Sequence, residues 1–456
     1  MPTKEYRPYS PHQLLLLPPS LQEWLPEGHL AYFIDDLVDG FDLRAIEAPY
    51  EDELRGGPPY HPGMMVKVLL YAYCTGVYSS RRIARRLHED IAFRVLAAGN
   101  TPDFRTISDF RKQHLAALGG LFGQVLALAQ QAGLVKLGQV ALDGTKLRAN
   151  ASKHKAMSYG RMQAEEARLA AEVAALLQRA EETDAAEDAH FGPDVSGDDV
   201  PEELRRREDR LRKIREAKAA LEARATERAA TEQASRAAQA PPGSRSGRPP
   251  APPRETPPDR AQYNFTDPQS RIMKAADGAF IQAYNAQVAV DAHRQIIVAA
   301  EVTNQAADAP HLAPMINALE QHTGSRPTRL LADAGYFSEP NVIMLTTRQI
   351  DAFITPQKEK HTQPQPPAPR GRIPQYLSVR DRMRRKLQTK AGRAVYRKRK
   401  VIVEPVLGQI KAARGFRRFL LRGLAKVKGE WLLVTLAHNV CKLFQAGPRG
   451  QVVLGG

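Results

Sequence analysis

Cysteine is nearly absent. Cys74 and Cys441 are the two in 456 residues, and no Cys-x-x-Cys pair or close His pair accompanies them. That spacing excludes a disulfide framework and a structural zinc site, and it makes a reducing cytosol the expected compartment. The twelve His are scattered and read as surface or satisfied core residues. No run of about 18 apolar residues is present, which excludes a membrane-spanning helix. The opening MPTKEYRPYSPHQLLLLPPS lacks an adequate apolar h-region and a small-residue cleavage site, so no secretory signal is expected. Acid is scarce in the last third: Glu404 is the one carboxylate between Asp381 and Glu430, among seventeen Lys and Arg.

With 43% hydrophobic residues the length suffices for two or three cored domains. The net charge is +16. Arg370–Lys428 alone carries 20 Lys and Arg against Asp381 and Glu404, a net of +18, so this segment outweighs the whole excess. A concentrated basic surface points to a polyanion, and phosphate backbones are the common one. Val401, Val403, Val406, Leu407, Ile410, Phe416, Phe419 and Leu420 are interleaved with the charges, which argues for folded structure over a basic tail.

Residues 1–135 read as helical. Apolar residues recur at three to four over Glu27–Phe41 and Pro62–Tyr78, the latter opening on proline. In SSRRIARRLHEDIAFRVLAAG a cap at Ser79 or Ser80 precedes an inner face of Ile83, Leu87 and Ile91, with Arg81, Arg82, Arg85 and Arg86 outside. After Gly99–Asn100 a second helix, capped by Asp103 or Thr106, turns Ile107, Phe110 and His114 inward and Arg105, Arg111 and Lys112 outward. Such a pair suits a helix-turn-helix DNA reader.

GQVALDGTKLRA alternates like a short buried strand ending at Asp143–Gly144, within residues 136–151. Residues 152–240 form an Ala-, Glu- and Arg-rich insertion. Leu169, Val173, Leu176 and Leu177 make one stripe, and Leu204, Leu211, Ile214 and Leu221 another, on either side of an acidic loop at Glu181–Glu203. This predicts an antiparallel helical hairpin. A Pro-rich linker fills 241–262. Residues 263–446 then give strands Phe280–Asp291 and Gln295–Thr303, a helix Ala307–Thr323, a strand Arg329–Asp333, a helix Ser338–Gln349, a strand Asp351–Thr355, a Pro-rich loop Lys358–Ile373, and helices at Leu377–Tyr396, Glu404–Arg414 and Glu430–Gln445; 447–456 is a tail. Without the insertion the order is β-β-β-α-β-α-β-α, that of a ribonuclease H-like fold, so the expected class is α/β, preceded by an all-α DNA-binding domain.

In that fold the strands ending at Asp143 and Asp333 are neighbours. Two anions side by side repel unless a cation binds them. Mg²⁺, a hard ion that takes carboxylate oxygens, suits the pair, and two such ions about 3.5–4 Å apart serve phosphoryl displacement. Glu404, followed by Pro405 and read as lying at a helix start, is the candidate for the second ion. Lys411 lies two turns on, close to the same face, with Arg414 and Arg418 extending it toward DNA phosphates.

The phrases ALDGTKLRANAS (141–152), TDPQSRIMK (266–274), QAYNAQVAVD (282–291), LLADAGYFSEPN (330–341) and VEPVLGQIKAARGFRRFLLRGLAKVKGEWLLVTLAHNVCKL (403–443) resemble those of bacterial insertion-sequence transposases of the DDE type, more narrowly insertion-sequence family 1182. The resemblance implies that Asp143, Asp333 and Glu404 are the DDE triad, holding two Mg²⁺ (or Mn²⁺). It implies hydrolysis of double-stranded DNA at terminal inverted repeats and joining of the freed 3′-hydroxyl to target DNA. A homodimer or higher assembly on DNA, in the bacterial cytoplasm at the nucleoid, is expected with it. In the tyrosine-arginine-glutamate-lysine signature of related enzymes, Glu404 and Lys411 are in register; Arg397 and Lys400 stand where tyrosine and arginine are expected, and Tyr396 and Arg399 lie one residue early. Two rivals share these features: a structure-selective nuclease on the same fold, and a catalytically inactive or domesticated DNA-binding protein.

Overall fold

The computed structural model describes residues 20, 23–51, 58–191, 202–239, 252–275, 277–357, 367–369, 371–374 and 376–447. The turn expected at Gly192–Pro193, residues 241–251 of the Pro-rich linker, residues 358–366 and 370 of the second Pro-rich loop, and residues 448–456 of the tail lie outside the described residues.

The first part is helical: α1 (Leu30–Asp39), α2 (Arg44–Glu51), α3 (Pro62–Cys74), α4 (Ser80–Glu89), α5 (Ile91–Leu96), α6 (Phe104–Gln113) and α7 (Leu115–Gln131). Local chemistry sets the starts. Pro62 opens α3, whose Gly63 amide is taken by His61 Nδ1 at 3.1 Å. Asp103 Oδ1 accepts from the Arg105 and Thr106 amides at 2.6 and 2.9 Å and starts α6. Ile83, Leu87, Ile107, Phe110 and His114 are buried as expected. Two expectations fail here. Asp90 breaks the helix and caps α5 through the Ala92 amide, which turns Ile91 out to 43% exposure. Arg111 points inward, 4% exposed, and donates to Tyr73 Oη (3.2 Å), the Tyr78 carbonyl (2.8 Å) and Ser80 Oγ (3.3 Å). It ties α6 to the α3–α4 corner and is not an outward DNA contact.

Strand β1 (Gln139–Arg148) follows, then β2 (Ala156–Ser158), the long helices α8 (Tyr159–Phe191) and α9 (Glu202–Gln239), and β3 (Gln262–Asn264), which pairs with β2. Helix α8 runs eleven residues into the stretch read from sequence as acidic loop. Leu169, Leu211, Ile214 and Leu221 are buried in a small core of the hairpin's own, whereas Leu177 is 43% exposed. The chain continues through β4 (Arg271–Lys274), β5 (Phe280–Asp291), β6 (Ile297–Thr303), α10 (Leu312–Thr323), β7 (Arg329–Ala332), α11 (Glu339–Thr347), β8 (Asp351–Ile354), α12 (Val379–Gln388), α13 (Lys390–Gly408), a π turn at Gln409–Ala413, and α14 (Leu424–Ala446).

Six strands make one sheet. Strand β5 pairs antiparallel with β1 on one edge and with β4 and β6 on the other, while β7 and β8 run parallel to β1. Strands β5 and β6 are near-continuously buried because both faces of the sheet are covered. Helix α13 packs on β1, β5, β7 and β8; α14 packs on β6 and on the N-terminal helices α3 and α7, so one hydrophobic core runs from α1 through the sheet to α14.

Glu430 on α14 is fully buried and accepts the Leu420 and Leu421 amides at 3.0–3.1 Å, fixing the basic loop that follows the π turn. Phe416, Phe419 and Trp431 pack beneath that loop. Burial pushes the Glu430 carboxyl up to about 7, against the opposing pull of those amides and of Arg111. The usual value is 4.5, so between 4.5 and about 7 the folded chain keeps a proton that the unfolded chain has lost. Stability therefore falls as pH rises through that window. Thermal unfolding of wild type and Glu430→Gln across pH 4–8 should show wild type losing melting temperature relative to the variant between those values. A constant difference across the range would remove Glu430 as the source.

Candidate active site

Two aspartates meet through a strand register. The parallel ladder of β1 and β7 pairs Gln139 with Arg329 through Leu142 with Ala332, and the next step of the same register sets Asp143 beside Asp333. Registered residues on adjacent strands share a face. The expectation that β1 ends at Asp143–Gly144 is corrected: β1 continues to Arg148 because β5 goes on pairing with it, Asp143 opposite Val288 and Arg148 opposite Ala283. Only the parallel partner stops. Asp143 Oδ1 accepts its neighbour's amide, Gly144, at 2.9 Å, and Asp333 Oδ1 accepts the Gly335 amide at 2.9 Å. Burial pushes the Asp143 carboxyl up to about 6; Arg399 draws it down, the Asp333 charge adds to the rise, and the Gly144 amide opposes it.

Helix α13 lies across this face. Arg399 Nη1 donates to Asp143 Oδ2 at 3.2 Å, and its Nη2 is 3.9 Å from Glu404 Oε1. The Arg399 side chain is 12% exposed and that of Glu404 54%. Five helical residues separate them, well over a third of a turn around the axis, so Arg399 faces the sheet and Glu404 its rim. Arg399, not Lys400, is thus the basic residue on the acid pair; Lys400 is exposed and Tyr396 half-buried against the core. Among the described residues no three His, Cys, Asp or Glu side chains converge closely enough to hold a metal ion. The arrangement is a carboxylate pair with Glu404 joined to it through a guanidinium.

The placement of Glu404 at a helix start is also corrected. Thr389 caps α13 through the Gly392 amide, and the helix runs through Glu404 and Pro405. Pro405 has no N–H for the Val401 carbonyl. Gln295 Nε2, from the β5–β6 turn, donates to that carbonyl at 3.1 Å instead. Such substitution lets proline sit inside a helix. Past Gly408 the helix widens into the π turn, whose central Lys411 donates from Nζ to Thr145 Oγ1 at 3.0 Å. Thr145 is two residues from Asp143 on β1 and shares its face.

The other basic candidates divide. Arg414 turns inward, its Nη2 2.9 Å from His438 Nδ1, so it braces the π turn against α14 instead of extending the Lys411 face. Arg418 is exposed and donates to Asn150 Oδ1 at 2.8 Å beside the end of β1. On α6, Arg105 is exposed; its guanidinium and that of Arg81 lie 5.6 and 5.0 Å from the ring centre of the partly exposed Phe104. Lys112 is exposed and pairs with Asp109 at 3.0 Å. Sequence reasoning missed Asp308, whose Oδ1 accepts from Lys146, Asn285 and Gln287 behind the acid pair. The only hint was indirect: Asn285 and Gln287 set two amides on one face of β5, between Ala286 and Val288.

Residues 252–440 match the family model of the transposase DDE domain, and residues 19–113 match that of a transposase domain, DUF772. No curated protein and no solved structure matches the chain. The DDE match holds Asp333 and Glu404. Asp143 lies before it, cut off in sequence by the hairpin and rejoined through the pairing of β1 with β5 and β7. Two transposase domain matches in chain order, the second holding Asp333 and Glu404, support a DDE transposase of an insertion sequence, a DNA-binding enzyme of transposition and recombination.

Proposed function

We propose that this transposase binds transposon ends and carries out DNA cleavage and strand transfer at Asp143, Asp333 and Glu404, on a ribonuclease H-like domain of the kind found in insertion-sequence family 1182. The observation that carries the reading is the β1–β7 ladder, which ends one residue before Asp143 and Asp333 and leaves their charges acting on each other, under Arg399, Glu404 and Lys411. The strand order β6-β5-β1-β7-β8, with β5 antiparallel and β7 and β8 parallel to β1, supports the fold. The DDE match supports a divalent-metal enzyme.

The donor set suits a hard cation: two carboxylates share a face, and each has one oxygen fixed by an amide. Asp143 and Asp333 would hold one Mg²⁺ or Mn²⁺, and Glu404 would complete a second position once Arg399 releases it. When bound, such ions activate the attacking oxygen and stabilise the leaving one. The rest falls to the chain. Arg399 offsets the charge of the buried Asp143, and Lys411, now on Thr145, passes to a DNA phosphate. Arg418 and the exposed face of α4 and α6, with Arg105, Lys112 and the Arg81–Phe104 stack, extend the contact along the duplex. Assembly as a dimer on paired ends in a bacterial nucleoid belongs to the same reading.

A second reading, a DNA-binding protein without cleavage activity, is favoured by the exposure of Glu404 and its link to Asp143 through Arg399 alone among the described residues. Asp143→Asn separates the two: it should abolish joining of a 3′-hydroxyl end to target DNA in Mg²⁺ while end binding persists. Normal joining by that variant defeats the assignment, and wild-type protein that binds ends but neither cuts nor joins establishes the second reading. Hydrolysis without a joined product identifies a nuclease. Lys411→Ala should weaken end binding and make its log–log salt slope shallower by about one phosphate contact; an unchanged slope removes Lys411 from the DNA. Arg105→Ala should weaken DNA binding at unchanged melting temperature. Arg111→Ala should instead lower stability, by roughly 1–3 kcal/mol for each buried partner left unpaired; the opposite pattern would reverse these two roles.

A further inference from the structure

On the reverse face of the sheet, directly behind the acidic pair, lies a polar cluster that the proposed chemistry does not use. Gly144 and Lys146 alternate with Asp143 and Thr145 along β1, and their cross-strand partners on β5 are Gln287 and Asn285. Asp308, from the turn after β6, reaches into this space. Its Oδ1 accepts from Lys146 Nζ at 3.0 Å, Asn285 Nδ2 at 2.6 Å and Gln287 Nε2 at 2.9 Å. Tyr336, in the turn after Asp333, donates its hydroxyl to Gln287 Oε1. One carboxylate therefore gathers β1 and β5 and, through Gln287, the turn that carries Asp333.

Both acid-bearing segments make room for it with glycine. A Cβ on Gly144 would lie 2.9 Å from Asp308 Oδ1 and 2.5 Å from Gln287 Nε2. A Cβ on Gly335 would lie 2.8 Å from Asp308 Oδ2 and 3.0 Å from Asp333 Oδ1. Separations that short force something to shift: Gln287 or Asp308 for a side chain at position 144, Asp308 or Asp333 for one at position 335. Asn285 gives independent evidence that the contact matters. It is 0% exposed, and among the described residues its Oδ1 has no hydrogen-bond partner although Nδ2 reaches Asp308. An orphaned buried oxygen is costly, and here it accompanies a donor held on Asp308.

We propose that Asp308 is a positioning residue for the transposase site: it fixes, from behind, the two backbones that carry Asp143 and Asp333 and so sets their separation. The inference rests on the reading of that pair as the cation-holding carboxylates. Outer partners of metal ligands act in this way, and their loss commonly costs ~10–100-fold in metal affinity or activity.

The test is Mn²⁺ binding to the full-length protein, measured as free Mn²⁺ by electron paramagnetic resonance, beside strand transfer, DNA-end binding and thermal unfolding. Asp308→Ala should weaken Mn²⁺ binding and strand transfer by ~10–100-fold with end binding retained; its melting temperature falls, because Lys146, Asn285 and Gln287 lose their acceptor, so Mn²⁺ is titrated where the variant is folded. Asp308→Asn keeps the shape and an acceptor oxygen and should recover part of the Mn²⁺ affinity. Gly335→Ala should do similar damage alone, and combining it with Asp308→Ala should cost less than the two losses added, since the 2.8 Å approach to Asp308 Oδ2 is then gone and only that to Asp333 Oδ1 remains. Wild-type Mn²⁺ binding by folded Asp308→Ala overturns the proposal. So does a loss of end binding in step with Mn²⁺ binding in the folded variant, which marks an ordinary structural residue. Asp143→Asn is the control. Unaltered Mn²⁺ binding there defeats the acidic-pair reading and this inference with it, whereas weakened binding there with normal binding in Asp308→Ala defeats this inference alone.

Discussion

The parallel pairing of β1 with β7 is the constraint on which the site depends. Two strands far apart in sequence must lie side by side in one register for Asp143 and Asp333 to become neighbours. A slip of one residue would send one carboxylate to the opposite face. Val140, Ala141, Leu142, Leu330, Leu331 and Ala332 are all fully buried, so a slip would also unseat the centre of the core. The ladder stops one residue short of the acids while β1 runs on against β5. Asp143 is thus held by a continuous strand on one side and open on the other, the side on which Asp333 departs into its turn.

Charge is organised around that opening. Burial raises the Asp143 carboxyl and Asp333 adds repulsion, so a bare pair would resist ionising. The basic segment answers with residues sorted by depth. Arg399 is driven in against the acid, Arg414 is spent on His438 inside the protein, and Lys400, Arg417, Arg418 and Arg422 stay exposed. The π turn belongs to the same sorting, since it carries Lys411 to Thr145 on the acidic face. Widened turns of this kind recur at functional sites because they redirect a side chain without breaking the helix.

Much of this was legible in the residues. Strand β5 spans Phe280–Asp291 as expected, and β7 and β8 lie within a residue of expectation, because short strand-like runs bounded by turn residues have few other folds. The isolated Glu404 in a basic segment marked the right helix. What failed were properties set by tertiary partners. Pro405 read as a helix start because the Gln295 side chain that satisfies Val401 comes from a turn more than a hundred residues away. Arg111 and Arg414 read as outward because burial of arginine is rare, and the groups that receive them lie on other helices. Asp308 carried no motif; its role needs the glycines, Asn285 and Gln287 to be seen together in space.

The insertion shows why so long an interruption leaves the register intact. More than a hundred residues separate the end of β1 from the start of β5, yet loop-closure cost grows only logarithmically with length. The hairpin removes most of the remaining problem itself. Its base is clasped by β2 against β3 and by the Tyr159 and Gly160 amides on the Ala261 and Asp259 carbonyls, at 2.8 and 3.0 Å. Its helices bury Met162, Leu169, Ile214 and Ala217 against each other and cross-pair Glu165, Glu166 and Glu172 with Arg210, Arg215, Lys218 and Arg207. A segment that closes its own base and fills its own core asks little of the sheet. The ends of β1 and β5 are delivered already close, and the antiparallel pairing that holds Asp143 in place can form as it would across a short turn.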